Sequence, residues 1–115
     1  MGGRDDPMTR DELLQAICAV IVTEVKPRMI VLFGSSARGE DRSGSDVDVM
    51  IVADAIPAGG RLRALGRLYL ALGGVPVSKD LLFYTSAEIE KWKGVPNHVI
   101  AQAMREGKVL YDRAS

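Results

Sequence analysis

The chain has 115 residues, of which 47% are hydrophobic and 26% are charged, a composition typical of a folded globular domain and not of a disordered chain. Its 15 basic and 15 acidic residues cancel to a formal net charge of zero, so no general binding to nucleic acid or to a membrane surface is expected. The single cysteine, Cys18, excludes an internal disulfide, and the apolar stretches are too short for a membrane span, so we predict a cytoplasmic protein. We predict a flexible leader over residues 1–8 and a single domain over residues 9–115.

The first predicted elements are a helix and a buried strand. Thr9 and Glu12 have the spacing of a capping box, and apolar residues then recur at helical intervals until Pro27. The apolar run over residues 29–33 predicts a central strand, which ends at Gly34.

A turn with anion-binding character follows this strand, within the segment VLFGSSARGEDRSGSDVDVMIV at residues 31–52. Gly34 permits a sharp turn that leaves backbone N–H groups and the hydroxyls of Ser35 and Ser36 free to contact an anion. One or two helical turns are predicted next, and their N–H groups would face the same point. The turn therefore predicts half of a phosphate site.

Three aspartates interrupt the next two predicted strands. Asp46 and Asp48 open a strand over residues 46–53, and Asp80 lies in a strand over residues 77–84. Two carboxylates about 4 Å apart repel each other by roughly 4 kcal/mol at an effective dielectric constant near 20. A divalent cation offsets this repulsion, and oxygen ligands select a hard ion such as Mg²⁺ or Mn²⁺. Beside an anion-binding turn, this predicts a nucleoside triphosphate with its metal, and nucleophilic attack on phosphorus.

The remaining elements are three helices and a short strand. Leucines at helical spacing over residues 62–72 predict a helix whose arginine-bearing side is interpreted as a solvated face rather than a substrate patch. Thr85 begins a helix with capping-box spacing, Asn97 is predicted to cap the last helix, and residues 109–111 predict a terminal strand. This order predicts an α/β (α+β) fold, a small mixed β-sheet with helices packed mainly on one side.

The pattern GSSARGE, then SDVDVMIV, then an aspartate on a later strand resembles the nucleotidyltransferase superfamily of the DNA polymerase β type. The chain is most similar to the small members of that superfamily, the minimal nucleotidyltransferases that act as antitoxins beside a helical HEPN partner. The resemblance extends from the first helix to GKVLYDR near the C-terminus. A Gly-Ser pair or an Asp-x-Asp alone is weak, whereas their combination at this spacing is specific.

The resemblance implies that four residues bind the nucleotide. Gly34 and Ser35 would hold the β- and γ-phosphates of ATP, Arg38 would assist at the triphosphate, and Ser36 lies in the same turn. Two alternatives stay open from the residues themselves. Arg38 can instead pair with the acidic residues that follow it, such as Glu40, and Ser36 can be purely structural.

The resemblance also implies a role for each aspartate. Asp46 and Asp48 would bind both metal ions, while Asp80 would bind the catalytic metal and help to deprotonate the attacking hydroxyl. The alternative for Asp46 is a cap of the strand entry or of a turn, and the alternative for Asp80 is a solvated acid at a strand edge.

These implied roles lead to one principal functional hypothesis, with two alternatives. The chain would transfer AMP from ATP to a hydroxyl, in this family a tyrosine of a partner HEPN ribonuclease toxin, and so act as the antitoxin. The first alternative is a catalytically silent binding module that neutralises its partner by contact alone. The second is a nucleotidyltransferase that acts on a small molecule such as an aminoglycoside, for which a homo-oligomer could supply the missing surface.

Overall fold

The computed structural model describes residues 8–34 and 46–114. The leader predicted over residues 1–8 lies almost wholly outside these ranges, as does the short helix predicted after Gly34. The described elements, in chain order, are α1 (Arg10–Val25), β1 (Met29–Phe33), β2 (Val47–Ala53), α2 (Arg61–Ala71), β3 (Lys79–Thr85), α3 (Ser86–Trp92), α4 (Val99–Glu106) and β4 (Lys108–Asp112). Among them, no helix is both long enough and apolar enough to cross a membrane.

The strands form one mixed sheet in the order β3-β2-β1-β4, which confirms the predicted sheet type. Strand β1 runs antiparallel to β2 and to β4, whereas β2 and β3 are parallel. The register sets Phe33 opposite Asp48 and Asp48 opposite Asp80. The end of β1 and the starts of β2 and β3 therefore meet at one end of the sheet.

The described helices cover both faces of the sheet, two on each, rather than mainly one face as predicted. Helices α1 and α2 contribute to one core cluster, and α3 and α4 to another on the opposite face. Every residue of β2 is buried except Asp48, because alternate side chains enter the two cores. Helical periodicity in a sequence identifies an apolar face, but it does not say which side of a sheet that face will cover.

Two of the predicted helix starts are confirmed as capping boxes. The Thr9 hydroxyl accepts the Glu12 N–H at 3.1 Å, and the Glu12 carboxylate accepts the Thr9 N–H at 2.8 Å. Thr85 and Glu88 make the same reciprocal pair at the start of α3, at 3.2 and 2.9 Å. Each box satisfies two N–H groups that a helix leaves without partners.

The start of α4 differs from the prediction, since His98 and not Asn97 is its N-cap. Asn97 has a φ of 72°, in the left-handed region, whereas His98 is extended, as an N-cap residue must be. The His98 Nδ1 accepts the Ile100 N–H at 3.0 Å. The same ring stacks on Trp92 at a centroid distance of 4.6 Å, so one side chain both caps α4 and packs against the end of α3.

An ion pair joins the start of α2 to α3 and corrects part of the predicted solvated arginine face. The Arg61 Nη2 lies 2.6 Å from both carboxylate oxygens of Glu88, and its guanidinium lies 5.7 Å from the Tyr84 ring centroid. Burial raises the pKa of Glu88, but hydrogen bonds from Thr85 and Arg61 outweigh it and hold that pKa below its usual range. The charge of Glu88, just beyond the end of β3, is therefore balanced by Arg61.

Candidate active site

The parallel pairing of β2 and β3 brings two of the predicted site residues together. Asp48 and Asp80 are register partners, and the Asp80 side chain lies within hydrogen-bonding reach of the Asp48 carboxyl group. Alternation along the strands directs both side chains to the face that carries Met50 and Leu82. Asp48 is half-buried and Asp80 is exposed. A carboxyl pair therefore stands at the end of the sheet, open to solvent on one side.

No positively charged group among the described residues compensates the charge of Asp48. Burial, then the negative charge of Asp80, then that of Asp46 and the hydrogen bond to Asp80 all raise the pKa of Asp48. Asp46 directly precedes β2 and is exposed, and it acts on Asp48 through its charge alone. All three predicted carboxylates thus influence one point, with Asp80 the stronger neighbour of Asp48.

The turn after β1 is pressed against this carboxyl pair. Gly34 has a φ of 75°, which disfavours other residues. A Cβ atom at this position would overlap Asp48 Oδ2 and would lie 3.3 Å from its Cγ. The backbone can therefore pass beside Asp48 only because residue 34 is a glycine. The binding residues predicted after it, Ser35, Ser36 and Arg38, lie outside the described residues.

The donor set fits a hard divalent cation, because it consists of carboxylate oxygens, and among the described residues no positive group lowers the pKa of Asp48. Within residues 8–34 and 46–114, no group of three or more His, Cys, Asp and Glu side chains is close enough to enclose a metal ion. The described geometry joins Asp48 and Asp80, with Asp46 nearby as a charge. Metal binding by the three aspartates stays a prediction.

Two side chains that were not predicted as functional residues hold the start of β3. The Tyr69 hydroxyl, on α2, accepts the Leu81 N–H at 2.8 Å. Lys79 Nζ donates to the carbonyls of Val75 and Val77 at 3.0 and 2.7 Å. Because β3 is an edge strand, its outward N–H groups need such partners, and a tyrosine among helix leucines was the available signal. These bonds fix the backbone on both sides of Asp80.

Three solved structures with the same fold are similar to this chain as follows. A toxin-antitoxin bound to AMP-PNP has a TM-score of 0.56 and 21% identity, over 86% of this chain and 73% of that chain. A protein assigned as a minimal nucleotidyltransferase gives 0.58 and 24%, over 92% and 98%. A protein from Sulfolobus solfataricus assigned as a nucleotidyltransferase gives 0.57 and 18%, over 98% and 96%. At these identities, the similarity establishes the fold.

Sequence comparison identifies the family. No significant match was found among curated protein sequences. The family model described as "Polymerase beta, Nucleotidyltransferase" matches residues 15–115, which include Gly34 and all three aspartates. The resemblance seen in GSSARGE and SDVDVMIV is thereby confirmed. The chain belongs to the polymerase β-type nucleotidyltransferase family.

Proposed function

We propose that this chain transfers AMP from ATP to a hydroxyl group, a tyrosine of a partner HEPN ribonuclease toxin, and acts in the cytoplasm as the antitoxin of that toxin. The observation that carries the proposal is the contact of the Asp48 and Asp80 carboxyl groups beside the turn at Gly34. Family membership supports the reaction class. The shared fold with a toxin-antitoxin bound to AMP-PNP supports both the nucleotide and the kind of partner.

The nucleotide would lie across the turn and the carboxyl pair. The phosphates would be bound by Gly34, Ser35, Ser36 and Arg38. Because residue 34 has no Cβ, the bound phosphates could lie close to the carboxylates. Asp46, Asp48 and Asp80 would hold Mg²⁺ or Mn²⁺. When bound, such a cation neutralises charge on the phosphates and carboxylates.

Asp80 would receive the proton of the attacking hydroxyl. It is the more exposed member of the carboxyl pair and lies on the edge strand, where an acceptor from another molecule can approach. The acceptor oxygen would bond to the α-phosphorus while the bond from that phosphorus to the bridging oxygen breaks. Pyrophosphate leaves, and the proton passes to Asp80. Asp48, half-buried, would serve binding rather than proton transfer.

The test is transfer of label from ATP labelled at the α-phosphate to a purified HEPN partner in the presence of Mg²⁺. Asp46→Asn and Asp48→Asn should each abolish transfer, because each removes a carboxylate charge with little change in shape. Asp54→Asn is the matched control, since Asp54 follows the other end of β2 and pairs with Arg113 at 2.9 Å. Undiminished transfer by both site variants would overturn the carboxylate assignment. Failure of the wild type to bind ATP with Mg²⁺ in calorimetry would favour the contact-only binding module.

A further inference from the structure

The outer side of α2 carries an exposed apolar stripe. Leu62 and Leu70 are 83% and 84% exposed, and Gly66 lies between them at the same four-residue spacing. Residues four apart in a helix lie on one face, so these three form a ridge with a gap at its centre. Arg63 and Arg67 form a second exposed row beside it. These five residues are called the α2 outer face below.

The fold itself gives no reason for a glycine in this stripe. Gly66 is in the middle of an 11-residue helix, where glycine is less stable than alanine. A Cβ at this position would meet no atom of residues 8–34 and 46–114 within 4 Å, so neither their packing nor a turn requires its absence. A glycine between two exposed leucines does, however, let another molecule approach the helix backbone closely.

The charge of the α2 outer face defines what it can bind. The charged residues of α2 are all arginines, and within the described part of the chain neither Arg63 nor Arg67 forms an ion pair. The Arg63 side chain lies over Gly59, where a Cβ would come within 2.6 Å of its Cδ. A second copy of this face would set arginine against arginine across a two-fold axis. An apolar patch rimmed by carboxylates is complementary.

Helix α2 covers the face of the sheet opposite to the Asp48 and Asp80 side chains. Helix α2 runs antiparallel to β3, because Arg61 bonds Glu88 just beyond the end of β3 while Tyr69 bonds Leu81 near its start. Leu70 therefore lies at the end of the sheet where β3 starts, on the face opposite to the Asp80 side chain. A protein seated on the leucine ridge would therefore reach Asp80 around β3, the edge strand of the sheet.

We propose that the α2 outer face is the docking surface for the partner protein, which binds it through an acid-rimmed apolar patch. This inference rests on the proposed function, because that function supplies the partner. The two leucines enter the apolar patch, Gly66 permits close backbone approach, and the arginines meet the carboxylates.

The test measures the Kd of the purified chain for the purified HEPN partner. Leu62→Gln combined with Leu70→Gln should raise the Kd at least tenfold. Gly66→Ala should raise the Kd severalfold while it raises the melting temperature by about 4 °C, so lost binding cannot be attributed to unfolding. Arg63→Glu combined with Arg67→Glu should weaken binding, and more so at low salt. Val109→Gln and Arg105→Glu, at exposed positions on other elements, should leave the Kd unchanged.

Each outcome decides the docking proposal separately from the transfer proposal. A wild-type Kd in the Gly66→Ala and double-leucine variants would overturn docking at α2, whatever the transfer assay shows. Absence of a wild-type complex would also overturn it, while ATP binding and pyrophosphate release would then decide the enzymatic function. A tight wild-type complex without label transfer would refute transfer alone. Conversion of a dimer to a monomer by the double-leucine variant would assign the face to self-association and overturn the proposal.

Discussion

Replacing Asp48 with asparagine should stabilise the metal-free protein while abolishing transfer. Burial and the charge of Asp80 raise the pKa of Asp48, so the folded protein resists ionisation of this group. Its contribution to stability is complete below the pKa of the unfolded chain and is lost as the pH rises through the higher folded-state pKa. Asparagine has nearly the same shape and does not ionise. The free energy of unfolding of the variant should therefore rise relative to that of the wild type as the pH increases from about 4 to neutral.

The size of the gain follows from the geometry of the carboxyl pair. Two unit charges about 4 Å apart repel by about 4 kcal/mol at an effective dielectric constant of 20 and by about 1 kcal/mol in bulk water. Asp80 is exposed and Asp48 is only half-buried, so solvent screens their repulsion. The repulsion energy is therefore expected near the value for bulk water. A gain of about 1 kcal/mol corresponds to a rise of about 4 °C in melting temperature for a domain of this size.

Thermal unfolding in EDTA between pH 4 and pH 7.5 measures this gain. Added Mg²⁺ should stabilise the wild type and narrow its difference from Asp48→Asn, because a bound cation screens the repulsion. Asp54→Asn, which removes a carboxylate paired with Arg113, should be neutral or slightly destabilising. A lower melting temperature for Asp48→Asn at neutral pH, or a difference independent of pH, would refute the reasoning.

Three further substitutions probe the backbone around the site. Gly34→Ala should destabilise the domain by about 1 to 3 kcal/mol in urea unfolding and abolish transfer, because its Cβ would meet Asp48 in a left-handed turn; wild-type stability would contradict this. Tyr69→Phe should lose about 1 kcal/mol and lower kcat through a misplaced edge strand, with the Leu81 amide exchanging faster with solvent; an unchanged exchange rate would exclude this role. His98→Ala should lose about 1 kcal/mol, whereas His98→Asn should keep the cap, and equal losses would assign the effect to ring stacking.

Local signals predicted much of the fold, and contacts between distant residues explain what was missed. The capping boxes at Thr9 and Thr85 are formed by residues three apart, so sequence spacing alone specifies them. The strand carrying Asp48 was predicted from its continuous apolar run. The bond from Leu81 to Tyr69 spans 12 residues, and that between Arg61 and Glu88 spans 27, which no periodicity encodes. The distribution of the described helices over two faces also depends on contacts between residues far apart in sequence, which helical periodicity does not encode.

The pairing of Asp48 with Asp80 illustrates the same limit at the site. The sequence predicted that three aspartates would converge, because two lie on one strand and the third on a later one. It did not predict that Asp80 would be the direct register partner of Asp48, while Asp46 acts only through its charge. That distinction depends on the parallel alignment of β2 and β3, which the bonds made by Tyr69 and Lys79 secure.

The pKa values of Glu88 and Asp48 are shifted in opposite directions, because the two carboxylates have different charged neighbours. Glu88 is met by Arg61 and by the Thr85 backbone, so its charge is compensated within the chain and its pKa is lowered. Burial and the neighbouring acids Asp80 and Asp46 raise the pKa of Asp48. An asparagine would fill the same space in β2 without that repulsion, so residues 8–34 and 46–114 give no structural reason for a carboxylate at this position. Among the described residues, the charged neighbours that shift the pKa of Asp48 are all acids, which is the physical basis on which a cation and triphosphate are proposed at this end of the sheet.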